Sequence, residues 1–253
     1  MIAARDVTVR IGGAALVRGV SLDVAAGELV ALIGPNGAGK STLLAVLAGD
    51  RAPTAGTVTL GGRPVPGQTA QALAARRAVL PQASQLGAAF TAVEVVELGQ
   101  RGGGDPVRRR RLARRRLDAV ELGGMAERAY PTLSGGERQR VQLARVLEQL
   151  GDGGGRALFL DEPTAALDPR HQQVVLGLAR AAARAGHAVV AVLHDLSLAA
   201  RWADRIALLD RGLLVACGPV AEVMRPERLR SVYGVDFDVV ARPGGGLLIS
   251  AAS

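Results

Sequence analysis

The 253-residue sequence is poor in three kinds of residue: it has one cysteine, one lysine and only 2% aromatic residues. Because Cys217 is alone, no disulfide can form within the chain. No apolar run approaches the roughly 18 residues that a membrane-spanning helix needs, and the first residues lack the apolar stretch of a signal peptide. We therefore expect a cytosolic protein, and the 49% of hydrophobic residues suffice for one large domain with its own core.

Arginine supplies almost all of the positive charge, which exceeds the negative charge and gives a net charge of +8. Seven arginines fall within the nine residues from Arg108 to Arg116. Three interpretations of this basic run remain open: a solvated helix face, a contact with anionic lipid or a membrane partner, and a contact with nucleic acid. The scarcity of aromatic residues counts against the last, because base-stacking side chains are missing.

The only lysine lies in a glycine-rich loop with the phosphate-binding pattern Gly-x-x-x-x-Gly-Lys-Ser. The apolar run 29–33 before the loop is typical of a buried strand, and the apolar spacing after it indicates a helix. Backbone N–H groups of such a loop surround phosphates, the lysine reaches the β- and γ-phosphates, and the Ser41 hydroxyl is the expected ligand of Mg²⁺. The loop consists of Gly34, Pro35, Asn36, Gly37, Ala38, Gly39, Lys40, Ser41 and Thr42.

Polar side chains stand at the ends of three predicted strands. Asp161 and Glu162 follow the apolar run 157–160, Gln82 follows residues 78–81, and His194 follows the apolar run 188–193. In a nucleotide enzyme the first acid orients Mg²⁺ or its water, and the second polarises the attacking water. An ordinary strand end is the alternative for the two acids, but active sites of α/β proteins form where strands end.

Ser134 and Glu137 are spaced as in a capping box at the start of a helical run. Capping explains the serine and the glutamate, but it does not explain Gly135 and Gly136, because glycine weakens the first turn of a helix. Close approach of the backbone to a ligand does explain them. We interpret this segment as a second helix N-terminus that is directed at phosphate.

Together these residues make the sequence resemble the ATP-binding subunits of ABC transporters over about residues 3–220. The most specific element is residues 133–137, Leu-Ser-Gly-Gly-Glu, which is the signature of that family. The resemblance implies that residues 34–42 bind ATP with Mg²⁺, and that Ser134, Gly135, Gly136 and Glu137 contact ATP held by a second copy of the chain. It also assigns roles at the γ-phosphate: Lys40 holds it, Gln82 senses it through Mg²⁺ and couples to the membrane partner, and His194 is the switch histidine. By the same resemblance Asp161 orients Mg²⁺ and Glu162 is the general base. Asp168 lies in the loop across the dimer.

One position departs from the family pattern. An aromatic residue often stands about 23 positions before the phosphate loop and stacks on adenine, whereas this sequence has Ile11 there. Isoleucine can pack against adenine but has no π face. We therefore expect weaker discrimination among nucleotide bases.

The resemblance implies an α/β fold, a P-loop NTPase (RecA-like) core with an N-terminal antiparallel β-subdomain and an inserted α-helical subdomain. Residues 1–82 and 151–220 form the β-subdomain and nucleotide-binding core, residues 83–150 the helical signature subdomain, and residues 221–253 a C-terminal extension. The sequence itself indicates alternating strands before residue 61, a strand–helix–strand crossover around residues 157–193, and hairpins turning at residues 210–212 and 243–246.

Weaker motifs resemble the iron-chelate import group, and within it the hemin-importing branch. They are residues 77–82, 90–96, 151–155, 167–172 and 232–235. The resemblance implies a head-to-tail homodimer on the cytoplasmic face of the bacterial inner membrane, bound to a permease dimer and served indirectly by a periplasmic binding protein. It implies no direct contact with the cargo or with nucleic acid.

Other functions stay open beside this one. Siderophore and cobalamin importers share most of the pattern, and the direction of transport is not written in the ATPase. A soluble ABC ATPase that acts on nucleic acid, or a binding module that does not hydrolyse ATP, is the alternative of another class. The complete set Lys40, Gln82, Asp161, Glu162 and His194 counts against a module without hydrolysis.

Overall fold

The computed structural model describes residues 1–82, 90–242 and 246–252. Its strands in chain order are β1 (Ile2–Ile11), β2 (Ala14–Val24), β3 (Leu29–Ile33), β4 (Ala55–Leu60), β5 (Arg63–Pro64), β6 (Arg77–Leu80), β7 (Ala157–Asp161), β8 (Ala188–Val192), β9 (Arg205–Asp210), β10 (Leu213–Pro219), β11 (Phe237–Ala241) and β12 (Leu247–Ala251). The α-helices are α1 (Lys40–Ala48), α2 (Ala70–Ala74), α3 (Ala92–Glu97), α4 (Pro106–Ala119), α5 (Gly135–Leu150), α6 (Pro169–Arg184), α7 (Leu196–Trp202), α8 (Val220–Val223) and α9 (Pro226–Tyr233).

A six-stranded sheet in the order β10-β9-β3-β8-β7-β6 forms the centre of the molecule. All neighbours are parallel except β9 and β10, which form the hairpin predicted at residues 210–212. Every residue of β3 and β8 is buried, because helices cover both faces, and this is why the strands are continuous apolar runs. The parallel order brings the carboxyl ends of β3, β7 and β8 to one edge of the sheet, as the strand–helix–strand prediction requires.

A second, antiparallel sheet has the order β2-β1-β4-β5. Its buried residues form one cluster with those of α1 and of one face of the central sheet. Its alternating residues are buried on one face as predicted, among them Val7, Val9, Val20 and Val58. The alternation does not extend to Ile11, which is 42% exposed. The pairing of β1 with β2 shifts register after Val9, and this irregularity ends the regular alternation near the tip of the hairpin.

Helices α3, α4 and α5 pack on one another, and α5 also contacts β6. Their apolar residues belong to the same buried cluster as one face of the central sheet. Near the C-terminus β11 and β12 pair antiparallel, as the second hairpin prediction requires, whereas its turn residues 243–245 lie outside the described residues. Within the ranges that the structure describes, we found no helix with the length and apolar character needed to cross a membrane.

Candidate nucleotide-binding site

The loop between β3 and α1 is closed by glycines that no other residue could replace. Gly34 and Gly39 have φ angles of 145° and 97°. A Cβ atom would lie 2.0 Å from the Leu209 carbonyl oxygen at Gly34, and 2.3 Å from the Leu16 carbonyl oxygen at Gly39. The loop can therefore fit under β9 and beside β2 only because both positions lack a side chain.

Lys40 is the first residue of α1, and its side chain folds back over the loop. It is 6% exposed, and its Nζ donates hydrogen bonds to the carbonyl oxygens of Gly34, at 2.8 Å, and Pro35, at 2.9 Å. Burial lowers the pKa of the ammonium, while the charges of Glu162 and Asp161 act in the opposite direction. The ammonium is thus held in the loop by two neutral acceptors, which a phosphate oxygen can replace.

Ser41 and Asp161 meet across the site, although they are far apart in the sequence. The Ser41 hydroxyl donates a hydrogen bond to Oδ1 of Asp161 at 3.0 Å. Burial raises the pKa of the Asp161 carboxyl group, since nearby water is scarce, and the Ser41 hydrogen bond offsets part of that rise. Two adjacent oxygen ligands, one of them a partly buried carboxylate, fit a hard cation such as Mg²⁺.

Glu162 is held from three directions. Its Oε2 accepts a hydrogen bond from Gln82 Nε2 at 3.0 Å, and its Oε1 lies 2.6 Å from His194 Nε2. Its backbone carbonyl accepts a hydrogen bond from Gln139 Nε2 at 2.9 Å. The residue also has φ = 50°, a left-handed conformation that surrounding contacts must maintain in a residue with a side chain.

A cleft of about 240 Å³ opens over the loop and is lined by Leu16, residues 36–42, Glu162 and His194. It is the place where the triphosphate would lie. The sequence did not single out Leu16 or Gln139. Nothing in the local sequence pattern pointed to either residue, because their places beside the cleft and beside Glu162 depend on the fold.

The signature segment begins α5 and lies outside this cleft. The Ser134 hydroxyl accepts a hydrogen bond from the Glu137 N–H at 3.3 Å, and the Glu137 carboxylate accepts one from the Ser134 N–H at 2.7 Å. The hydrogen bond from the Ser134 backbone N–H foremost, and the Ser134 side chain after it, lower the pKa of the Glu137 carboxyl group. Ser134 and Gly135 are exposed, and a Cβ at Gly135 would meet open space, whereas Gly136 packs against Leu167.

Asp168 is exposed and caps α6, and its carboxylate accepts hydrogen bonds from the His171 backbone at 2.9 Å. The hydrogen bond from the His171 backbone lowers the pKa of Asp168, and so does the contact between its Oδ2 and His171 Nδ1 at 2.8 Å. Ile11 ends β1 and is not part of the lining of the cleft. Its predicted contact with adenine stays a prediction.

Known proteins resemble this chain in sequence and in fold. The model of a protein family described as ABC transporter matches residues 17–165, more than half of the chain. The chain belongs to the ABC transporter family. The P-loop core predicted from the sequence is confirmed, because the fold of this family member matches solved ABC cassettes.

Among curated ABC relatives, the hemin import ATP-binding protein HmuV of Bordetella parapertussis is 48% identical over 257 residues, covering 98% of each chain. The protein of the same name from Streptomyces coelicolor is 49% identical over 250 residues, which is 98% of this chain and 88% of that protein. The dimeric structure of a bacterial ABC transporter cassette has a TM-score of 0.78 and 29% identity, covering 87% of this chain and 99% of that one. A post-hydrolysis state of that cassette, bound to ADP and Pi, gives the same figures.

Proposed function

We propose that the chain is the ATP-hydrolysing subunit of an importer, and that it powers transport of an iron chelate, most specifically hemin, through a separate permease. The observation that carries the enzymatic part is the placement of Glu162. Its carboxylate is fixed between Gln82 and His194 at the mouth of the cleft that the phosphate loop forms. A carboxylate held in this way is suited to take a proton from a water molecule that attacks the γ-phosphate.

The phosphate loop supplies binding and positioning. Lys40 exchanges the carbonyl oxygens of Gly34 and Pro35 for phosphate oxygens, and the free N–H groups at the start of α1 face the same anion. Ser41 and Asp161 would hold Mg²⁺, whose positive charge balances the charge that spreads over the transferred phosphoryl group. The Asp161 carboxylate, whose pKa burial raises, would gain a cation in place of missing water.

Glu162 acts as the general base in this proposal. As the oxygen of the attacking water bonds to the γ-phosphorus, its proton passes to a carboxylate oxygen of Glu162, and the bond from the γ-phosphorus to the bridging oxygen breaks. His194, 2.6 Å from that carboxylate, fixes its orientation beside the γ-phosphate. Gln82 holds the other carboxylate oxygen, so we infer that a change at the γ-phosphate reaches Gln82, the residue that would couple to the permease.

The signature segment would complete the site of a second copy. Ser134 and Gly135 are exposed at the start of a 16-residue helix and do not line the cleft of their own chain. An exposed helix N-terminus with two glycines suits the phosphates of ATP bound elsewhere. The dimeric cassette that this fold resembles supports a pair of copies. We infer that the pair is head-to-tail, with Asp168 near the partner. The γ-phosphate then joins the two copies, and hydrolysis releases them.

The cargo is inferred from the relatives. Those with 48–49% identity over nearly the whole chain are named hemin import ATP-binding proteins. We infer a permease dimer as the direct partner, a periplasmic hemin-binding protein as the indirect one, and a position on the cytoplasmic face of the inner membrane. Siderophore or cobalamin import is the alternative cargo assignment.

The Glu162→Gln variant tests the enzymatic part. We expect ATP turnover to fall by about 10²- to 10⁴-fold, because a general base of this kind contributes that much, while ATP binding is retained. Glu227→Gln, on the exposed start of α9, is the matched control and should keep the full rate. Turnover of Glu162→Gln at the wild-type rate would remove the base assignment.

The cargo is tested in liposomes that contain the permease encoded with this chain. Hemin is added on the side of the membrane where the periplasmic binding protein is present. We expect it to stimulate ATP hydrolysis and to be transported. Ferric siderophore and cobalamin are the competing cargoes. Transport of a competitor without hemin would keep the ATPase assignment and change the cargo.

A further inference from the structure

The arginines of the run in α4 have different surroundings once the chain is folded. Arg110, Arg114 and Arg116 make ion pairs with carboxylates of neighbouring elements, at N–O distances of 2.6 to 3.8 Å. This group is accounted for as a helix face whose charges are balanced within the protein. The remaining arginines of the run lie elsewhere on the helix.

A second group of arginines lines a cleft beside the amino end of α4. The cleft has a volume of about 370 Å³, and Arg101, Arg108, Arg109 and Arg156 line it together with Gly102, Gly103 and Gly104. Across the described ranges, none of these four guanidinium groups makes an ion pair with a carboxylate. The undescribed residues 83–89, 243–245 and 253 contain no acidic side chain.

The two acids that also line the cleft are engaged elsewhere. Asp105 caps α4, and its carboxylate accepts hydrogen bonds from the N–H groups of Val107 and Arg108 at 3.2 and 3.1 Å. Glu148 pairs with Arg116 at 2.9 Å. The positive charge of the cleft is therefore not balanced by its own lining.

Neutral hydrogen bonds fix several of these guanidinium groups and leave other N–H groups free. Arg101 Nη1 donates to the Ala75 carbonyl oxygen at 2.9 Å, and Arg109 Nε donates to Gln100 Oε1 at 2.7 Å. A guanidinium has five N–H donors and no acceptor, so one such bond orients it without using it up. The donors that remain form a fork that suits phosphate oxygens.

Like charges approach one another here at a cost. Burial lowers the pKa of Arg101, and the positive charge of Arg156 lowers it further. A bound anion would relieve both effects, because it supplies the opposite charge that the lining lacks.

We propose that this arginine-lined cleft binds a phosphate-bearing anion at a site separate from the nucleotide. Arg156 directly precedes β7, and Ala75 lies just before β6, so the cleft lies at the amino ends of these strands. The phosphate loop follows the carboxyl end of β3. Because β3 and β6–β8 are parallel, the loop lies at the opposite ends of these strands from the cleft. The shared chemistry is a phosphate group, which a phospholipid headgroup or a soluble phosphate can provide.

The first experiment titrates the full-length protein, labelled with ¹⁵N-glycine, with inorganic pyrophosphate. The signals of Gly102, Gly103 and Gly104 report on the cleft, whereas those of Gly37 and Gly39 report on the phosphate loop. We expect both groups of signals to shift, each with its own affinity. Shifts confined to Gly37 and Gly39 would overturn the proposal and leave the nucleotide site untouched.

A pair of double variants tests whether charge in the cleft, and not charge in general, is responsible. Arg101→Gln with Arg108→Gln should weaken pyrophosphate binding at the cleft glycines by about tenfold or more, because charge-assisted hydrogen bonds are lost. Arg111→Gln with Arg115→Gln removes the same charge from exposed positions of α4 outside the cleft. This pair should change the pyrophosphate affinity measured at the cleft glycines less than about twofold. Equal weakening in both pairs would overturn the proposal.

Arg108→Gln alone guards against misfolding, since no hydrogen bond or ion pair of that side chain is found in the described residues. It should weaken binding in the same direction as the double variant. An unchanged affinity in this single variant, with the double variant unfolded, counts against the site.

Vesicles identify the source of the phosphate. If the site binds a lipid headgroup, the protein should cosediment with phosphatidylglycerol vesicles. The double variant Arg101→Gln with Arg108→Gln should abolish this cosedimentation, and Arg111→Gln with Arg115→Gln should preserve it. A soluble ligand gives the pyrophosphate result without that difference. Failure with both probes refutes a phosphate site.

Discussion

The capping box at Ser134 allows the structural and the functional role of the signature segment to be separated. Thr91 forms a capping box of the same kind at the start of α3, with a hydrogen bond of 2.7 Å from its N–H to the Glu94 carboxylate. The corresponding distance at Ser134 is also 2.7 Å, and the side-chain hydrogen bonds measure 3.3 Å at Ser134 and 3.4 Å at Thr91. Thr91 is therefore a matched control that caps a helix outside the nucleotide cleft.

Loss of either cap should destabilise the protein similarly. We expect Ser134→Ala and Thr91→Ala each to lower the free energy of unfolding by about 1 kcal/mol, the usual contribution of such a cap. Urea denaturation followed by circular dichroism measures both. ATP hydrolysis should fall by tenfold or more in Ser134→Ala, because Ser134 would contact the ATP of the second copy, and it should be unchanged in Thr91→Ala.

Ser134→Asp makes the decisive comparison. Aspartate caps a helix as well as serine does, so stability should be retained. Its carboxylate would face the triphosphate of the partner, and repulsion should abolish both ATP-driven dimerisation and hydrolysis. Dimerisation is measured by light scattering in Mg²⁺ and ATP. A Ser134→Asp protein that dimerises and hydrolyses ATP normally would refute the role of the signature segment in trans.

Three further predictions concern the core and the site. Because burial raises the folded-state pKa of Asp161 above its unfolded value, its charge costs stability at neutral pH, and this cost disappears as the pH falls below about 4. Asp161→Asn should therefore raise the melting temperature of the nucleotide-free protein at pH 7, and raise it less at acid pH. It should also weaken Mg²⁺-dependent ATP binding. A rise in melting temperature that does not depend on pH would contradict this reasoning. Lys40→Arg should abolish tight ATP binding measured by calorimetry, since the buried ammonium occupies a position too small for a guanidinium; retained affinity would contradict the loop assignment. Phe159→Ala should lower the free energy of unfolding by about 3–5 kcal/mol, because this side chain is fully buried in β7; urea denaturation giving less than about 1 kcal/mol would show that the site collapses around the cavity.

Much of the fold followed from local patterns. The apolar runs that became β3 and β8 were predictable because strands covered on both faces contain few polar residues. The helix of the crossover predicted around residues 157–193 is α6, which begins at Pro169 because Asp168 caps it. The exposure of Ile11 was not predictable, since it depends on an irregular pairing between β1 and β2 that neither strand shows on its own.

The candidate site was only partly predictable. Glu162 and Gln82 were singled out separately, but they are 80 residues apart, and only the sheet order brings them to 3.0 Å. Gln139 reaches the Glu162 backbone from α5, a contact that no motif announces. Such contacts depend on how helices and strands are placed relative to one another, which local periodicity does not specify.

The chemistry of the protein can be predicted from local motifs: a phosphate loop with its single lysine, two acids after a buried strand, and the signature of a family. Spacing along the chain suffices for this, because each motif binds its ligand through neighbouring residues. The side chains that hold Glu162 emerge only in the folded chain. The same is true of the difference between the α4 arginines that make an ion pair within the described residues and those that do not. Those outcomes rest on carboxylates and amides from distant segments, and charge balance is a property of the folded surface and not of the run itself.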